Sequence, residues 1–416
     1  MTKPQRQGRR TSIALAILTA GSLVFAACSK SSPDTTAASE TAAAETAAAE
    51  TAAAETAPAD TAAPAAETTA AAAAPAAGDI VAIAKDFVTK QLSGAGGFDG
   101  PADGPKAFGP GTIAFIQSDA TNGGVTGVGD GVKEAAAAIG WDLKVYDGKA
   151  TAQGRTEALN AAIAEKPAGI ILGGFDAAEQ KDAIKTATDQ KIPVVGWHAG
   201  ATPGPIPDAG LFSNVTTDPL EVSKIAAYYA IADSDGKAGV VILTDTQYEI
   251  AVKKADTMRD IIKQCTTCEL LSYENTLIAE ADTKMPPLVA SLLQKYGDKL
   301  TYMLAINGNY YGGAAPALKD AGKDPAGPPK QIAAGDGDSA EFKRIRDVNY
   351  QTATVAEPLY LQGWQLVDEL NRALSGGAAS GYLAPPGLVT KANIGAGDVF
   401  DPKGTYRDNY KKIWGK

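Results

Sequence analysis

One histidine, His198, has to serve a chain of 416 residues, and most ways of building a catalytic centre go with that scarcity. A Ser-His-Asp enzyme would have to use this imidazole, and no serine lies in a strained nucleophile turn. None of GxSxG, HExxH or GxxxxGK[ST] occurs, and GVTGVGDG near residue 127 lacks the third glycine of a dinucleotide loop. Asp and Glu are plentiful, but nothing singles out a catalytic pair, so no enzyme is expected. Cysteine is as scarce: Cys28, Cys265 and Cys268 with one histidine cannot complete a tetrahedral zinc set, and neither metal nor cofactor is expected. Basic charge is short too. The net charge of −10 comes from dispersed acids with no basic stripe to follow phosphates, which argues against nucleic acid as a partner.

What the chain does have begins with an export signal. Lys3, Arg6, Arg9 and Arg10 precede the apolar run SIALAILTAGSLVFAAC, which is too short for a comfortable membrane span and ends in small residues. The ending VFAAC resembles a bacterial lipobox, with Cys28 as the lipidated first residue of the mature protein and Phe25 where leucine is usual. Ordinary cleavage after Ala27 is the alternative. The Arg9-Arg10 pair fits a twin-arginine signal poorly at its flanks, so the general export route is expected.

Residues 28–79 repeat ETAAA from Glu40, Glu45 and Glu50, follow with ETAPA from Glu55 and continue in Ala, Thr and Pro. Apolar content that is nearly all alanine cannot offset the entropy of ordering, so this stretch reads as a disordered tether. Roughly fifty such residues reach about 40 Å by random-coil scaling. In an exported chain, CTTC at 265–268 reads as a local disulfide. A redox pair would sit exposed at a helix start after a strand, whereas this one lies between an apparent helix and the next strand.

From Thr112 the chain alternates. TIAFIQ (112–117), DLKVYD (142–147), GIILGG and IPVVGW read as strands, separated by helices over 128–140, 152–165 and 177–190. A turn-rich loop leads to LFSNV. A second run follows from Asp218, with strands GVVILT, ELLSY, TYMLAIN and QIAAG between helices to about 232, over 248–264, 286–296 and 313–321. TATVAEP (352–358), a helix over 359–374 and a short strand GLVTKA (387–392) then join existing sheets. Continuous apolar runs between amphipathic helices mark parallel sheets covered on both faces. The expected fold is α/β, with two doubly wound parallel-sheet lobes and a ligand cleft at the carboxyl ends of their strands. Residues 80–95 have helical spacing and 96–110 form a Gly/Pro-rich lead-in; neither finds a place.

A lipoprotein signal, a low-complexity tether, TIAFIQSD, AEKPAGIIL, IPVVGW, AGDGD and TATVAEPLYLQG, in this order, resemble the periplasmic solute-binding proteins of ribose type over about 111–400. The type I fold of that family, related to the ligand cores of lactose-repressor-like regulators, joins its lobes by a three-strand hinge. The family closes on a solute and delivers it to an ABC permease, so the resemblance implies a lipid-anchored, monomeric receptor on the outer face of the cytoplasmic membrane. It implies a first lobe of 111–217 plus 358–390 and a second of 218–357 plus 391–416. Its ligand contacts fall on Ser118, Asn122, Trp197 and His198 in the first lobe, and on Lys254, Asn307 and Asp336 in the second, with Glu357 at the hinge.

The departures matter as much. Trp197-His198 stands where the family usually has Asp-Arg to grip sugar hydroxyls, and Gly123, Gly124 and Val125 stand where stacking aromatics often follow the first asparagine. Aromatic surface is then expected from Trp197, Tyr248, Tyr310 and Tyr311. A sugar or polyol is the first expectation; an aromatic or cyclic acid, or an enzyme on the same scaffold, are the alternatives. Replacing Trp197 by alanine is expected to weaken binding with little loss of fold.

Overall fold

The computed structural model describes residues 77–94 and 98–416. The signal, Cys28 and the tether up to residue 76 lie outside the described residues. The first element is helix α1 (Ala77–Leu92), whose Ile80, Ala84 and Val88 recur at helical spacing and are buried. The first lobe then alternates β1 (Thr112–Gln117), α2 (Gly123–Ile139), β2 (Asp142–Asp147), α3 (Ala152–Ala164), β3 (Gly169–Gly173), α4 (Lys181–Asp189) and β4 (Val194–Trp197). It ends in a hairpin of β5 (Gly204–Ile206) and β6 (Leu211–Val215).

The second lobe runs α5 (Pro219–Asp233), β7 (Gly239–Thr244), α6 (Glu249–Gln264), β8 (Glu269–Asn275), α7 (Ala281–Tyr296), β9 (Tyr302–Ala305), α8 (Asn309–Asp320), β10 (Lys330–Ala333), α9 (Ser339–Asp347) and β11 (Gln351–Ala356). Helix α10 (Leu359–Leu374), strand β12 (Gly387–Thr390) and helix α11 (Tyr406–Trp414) complete the chain.

Two six-stranded sheets result, in the orders β2-β1-β3-β4-β6-β5 and β12-β11-β10-β9-β7-β8. Each is parallel except for one antiparallel edge strand, β5 on β6 and β12 on β11. β3, β4 and β7 are buried along their whole length, as their unbroken apolar runs require of strands covered on both faces. β2 is an edge and its residues are mostly exposed. Among the described residues no helix is long and apolar enough to cross a membrane.

Helix starts are set by local chemistry. Asn122, Thr151, Asp218 and Asp338 cap α2, α3, α5 and α9 with their side chains. The Asn122 cap starts α2 at Gly123, five residues before its expected start at 128. The same helix crosses α10 at Gly131 and Gly363, where a Cβ on Gly363 would stand 2.5 Å from backbone of residues 131–132. Cys265 and Cys268 form a disulfide at the end of α6, and Cys265 is buried.

The tail departs from its expected place. Residues 387–390 pair in the second sheet, while α11 at the end of 391–416 packs on the first lobe against α2 and α10. The cause is its stripe of Tyr406, Tyr410, Ile413 and Trp414: the Trp414 indole stacks on Trp364 of α10 at 5.4 Å and 3°. The lead-in finds a place there too, because Asn371 accepts from the Phe108 N–H and donates to the Pro105 carbonyl. Helix α1 belongs to the other lobe, laid along α5 with Phe87 edge-on to Tyr228.

Candidate ligand site between the lobes

The carboxyl ends of β1, β3 and β4 face those of β7, β9 and β10 across a cavity. Its polar lining is Asn122 and His198 from the first lobe with Lys254, Asn307 and Asp336 from the second. Trp197, Val125, Gly174, Tyr248, Ile250, Ala251, Ile278 and Ile306 supply the rest. Two polar members have unusual backbone: His198 has φ 49° and Asp336 φ 60°, a left-handed conformation that non-glycine residues adopt where the surroundings enforce it.

The amides are already half engaged. Asn122 Oδ1 accepts from the N–H groups of Gly124 and Val125 at 3.0 and 3.2 Å, and Asn307 Oδ1 accepts from Asn309 at 3.2 Å. Each amide therefore keeps its NH₂ for another partner. Trp197 donates its Nε1–H to Gln362 Oε1 at 2.9 Å, and its ring lies flat on His198 with centroids 3.8 Å apart.

Beneath the cavity Glu357, which is fully buried, ties the lobes together. Its Oε1 accepts from Lys254 Nζ at 2.9 Å, and its Oε2 meets His198 Nε2 at 3.0 Å, Gln362 Nε2 at 3.2 Å and the Thr217 N–H at 3.4 Å. Burial alone would raise this carboxyl, but His198 and Lys254 at its two oxygens outweigh it and hold it well below the usual carboxylate range. Burial lowers His198 more than Glu357 raises it, so the ring is neutral near pH 7 and donates from Nε2. Asp336 is the opposite case. Burial, helped by Glu357, Glu341 and Asp338, pushes it well above the usual carboxylate range against the pull of Lys254.

His198, Asp336 and Glu357 bring potential ligand atoms within 4.8 Å of one another. The Lys254 ammonium already supplies the positive charge there, and Glu357 has both oxygens engaged, so the set does not fit a divalent metal.

Seven of the ten residues expected at the site line the cavity, and three do not. Glu357 lies beneath it. Ser118 is buried behind Gly174, where a Cβ would come within 3.1 Å of its Oγ. Tyr310 points into the second lobe and donates to the Thr276 carbonyl at 3.0 Å, and the Tyr311 hydroxyl lies between the carbonyls of Met303 and Ile332. Helix α8 starts at Asn309, not 313, which turns both tyrosines onto the sheet. The apolar lining of Ile250, Ala251, Ile278 and Ile306 carries no signal in the sequence, where such residues look like any core position.

The glycines after Asn122 now have a reason. A Cβ on Gly123 would stand 2.0 Å from Asp338 Oδ2 of the opposite lobe, and Asp338 cannot swing away while its Oδ1 caps α9 through the Glu341 N–H at 2.8 Å. Gly123→Ala is expected to disfavour the closed form by about 1–3 kcal/mol, and so to weaken solute binding by roughly five- to a hundredfold. Calorimetric titration checks the affinity, and a melting temperature within a few degrees of wild type shows that the lobes themselves are intact.

Two six-stranded α/β lobes that share a cavity at the carboxyl ends of their strands define the bilobal type I binding-protein fold. The family model described as periplasmic binding protein domain matches residues 113–378, and the chain belongs to that family. Three solved structures illustrate the likeness. The arabinose-binding component of an ABC transporter from Shewanella sp. ANA-3 is 21% identical, with TM-score 0.59, over 73% of this chain and 95% of that one. A solute-binding protein from Agrobacterium vitis bound to tagatopyranose is 18% identical, with TM-score 0.61, over 69% and 97%. One from Bacillus halodurans C-125 with myo-inositol is 17% identical, with TM-score 0.59, over 68% and 95%. At these identities the likeness is one of fold. A comparison with curated protein sequences finds no match.

Proposed function

We propose that the protein captures a small polar solute, a sugar or polyol first of all, between its lobes and delivers it to an ABC permease, without turnover. The observation that carries this is the lining of one cavity by polar groups from both lobes around the Trp197 indole, so that a solute there favours closure. The sugar and polyol ligands named for the fold relatives support the same choice. Export as a monomer, tethered to the membrane through lipid on Cys28, belongs to the same proposal.

A second reading has its own support. Asn122, Asn307 and Lys254 present hydrogen-bond donors, and more than half of the lining is apolar. A compact ring bearing acceptor oxygens, such as a cyclic acid, suits that set.

A thermal-shift panel of monosaccharides, polyols and cyclic or aromatic acids separates the readings. A ligand at a hundred times its Kd stabilises by about 2.7 kcal/mol. Stabilisation by a sugar or polyol recovered unchanged is the expected result. A shift with acids alone establishes the second reading, and chemical conversion of any hit overturns both.

A further inference from the structure

Asp176 lies just past β3 in the first lobe and makes its hydrogen bond in the second. Its Oδ2 accepts from the Glu249 N–H at 2.8 Å, the first amide of α6. It does not cap the turn at 177–180 that follows it, and α6 has no capping side chain of its own at Tyr248. The first lobe thus satisfies an open helix end of the second. The helix so held carries Ile250, Ala251 and Lys254 to the cavity, with Tyr248 at its head.

The carboxyl is 7% exposed and its Oδ1 has no partner. Arg155 on α3 makes no ion pair with it: its Nε and Nη2 donate to Glu179 at 2.9 and 2.6 Å, and its Nη1 has no partner. The other charged groups around it are Glu249 on α6 and Glu179 on the 177–180 turn. Beyond Arg155 stand Tyr248 and Asp245, both raised chiefly by burial.

We propose that Asp176 is a positioning residue for solute capture: it caps α6 across the cleft, and because closing buries its carboxylate without a counter-ion, closing is coupled to uptake of a proton. Only the consequence for solute affinity rests on the transport reading.

The direction follows from linkage. In the closed form burial pushes Asp176 up to about 6, the Glu249 N–H and Arg155 opposing and the Glu249 and Glu179 carboxylates adding. With the lobes apart the group returns to an ordinary value near ~3.9. An acid raised in one state favours that state as pH falls. The closed-to-open ratio therefore gains about tenfold between pH 7 and pH 5. Asp336 and His198 also titrate in the cleft, so the test compares variants that differ at position 176 alone.

Fluorophores at the exposed Lys185 and Lys284 report the inter-lobe distance distribution of the full chain with no ligand present. Asp176→Asn keeps an acceptor for the Glu249 N–H and has no charge to bury. It is expected to be more closed than wild type by up to about a hundredfold in the ratio at pH 7 and still about tenfold at pH 5, the two converging only as pH falls below the open-state value of ~3.9. Asp176→Ala, which lacks the cap, is expected to be more open than Asp176→Asn at both. Identical pH profiles for wild type and Asp176→Asn would overturn the proposal. Because this readout uses no solute, it stands or falls separately from the identity of the ligand.

Discussion

Glu357→Ala is expected to cost about 3–5 kcal/mol of stability and to remove solute binding with it. The carboxylate is fully buried and serves four partners at once: Lys254 from the second lobe, His198 and Gln362 from the first, and the Thr217 amide at the neighbouring crossover. Truncation leaves an ammonium with a side chain only 4% exposed and no counter-ion. Charge matters beyond shape, so Glu357→Gln is expected to restore part of the stability and little of the binding. The pH dependence has a definite sign. A carboxyl held below its ordinary value stabilises the folded protein above that value, and the contribution is lost as pH falls through the depressed one. Urea unfolding at pH 7 and at acid pH checks both statements; a Glu357→Ala variant as stable as wild type would contradict them.

Trp197→Ala is the second large effect, and the structure changes what it should look like. A pure pocket wall could be truncated with little loss of fold, but Trp197 is 2% exposed and packs in the first lobe's core with Val125 and Val195. Removal is expected to cost about 3–5 kcal/mol. It also takes the stacked face from His198 and the donor from Gln362, both of which orient Glu357. Trp197→Phe separates the two roles: it keeps most of the packing and loses the N–H, so a fold near wild type with clearly weaker solute binding is expected. Chemical denaturation and calorimetric titration on the same samples give the two numbers. Wild-type affinity in Trp197→Phe would show that the indole hydrogen bond does not shape the site.

The architecture was legible in the sequence where chemistry is local. Runs such as GVVILT and IIL can only be strands covered on both faces, and caps at Asn122, Thr151 and Asp218 are short-range events. The resemblance to the ribose-type binding proteins, not local chemistry, pointed to Asn122, Trp197, His198, Lys254, Asn307 and Asp336, all of which line the cavity. What was not legible depends on residues distant in sequence. His198 and Glu357 are 159 residues apart, as the hydrogen bond between them spans, and no spacing rule marks such a pair. Gly123 looks like any flexible glycine until Asp338 is placed against it. Tyr310 has the composition of a sugar-stacking residue, and only the start of α8 shows that it faces the sheet. The aromatic stripe of α11 announces burial, but not on which lobe.

Capture between the lobes requires that one solute be held by both at once. The most direct measurement is calorimetric titration of the first sugar or polyol found to bind, with wild type, Asn122→Ala from the first lobe and Asp336→Ala from the second. Hydrogen bonds at such buried sites contribute about 1–3 kcal/mol each, so each variant is predicted to bind roughly five- to a hundredfold more weakly while keeping its fold. Loss of affinity in one variant with wild-type affinity in the other would place the solute on a single lobe and contradict capture between them.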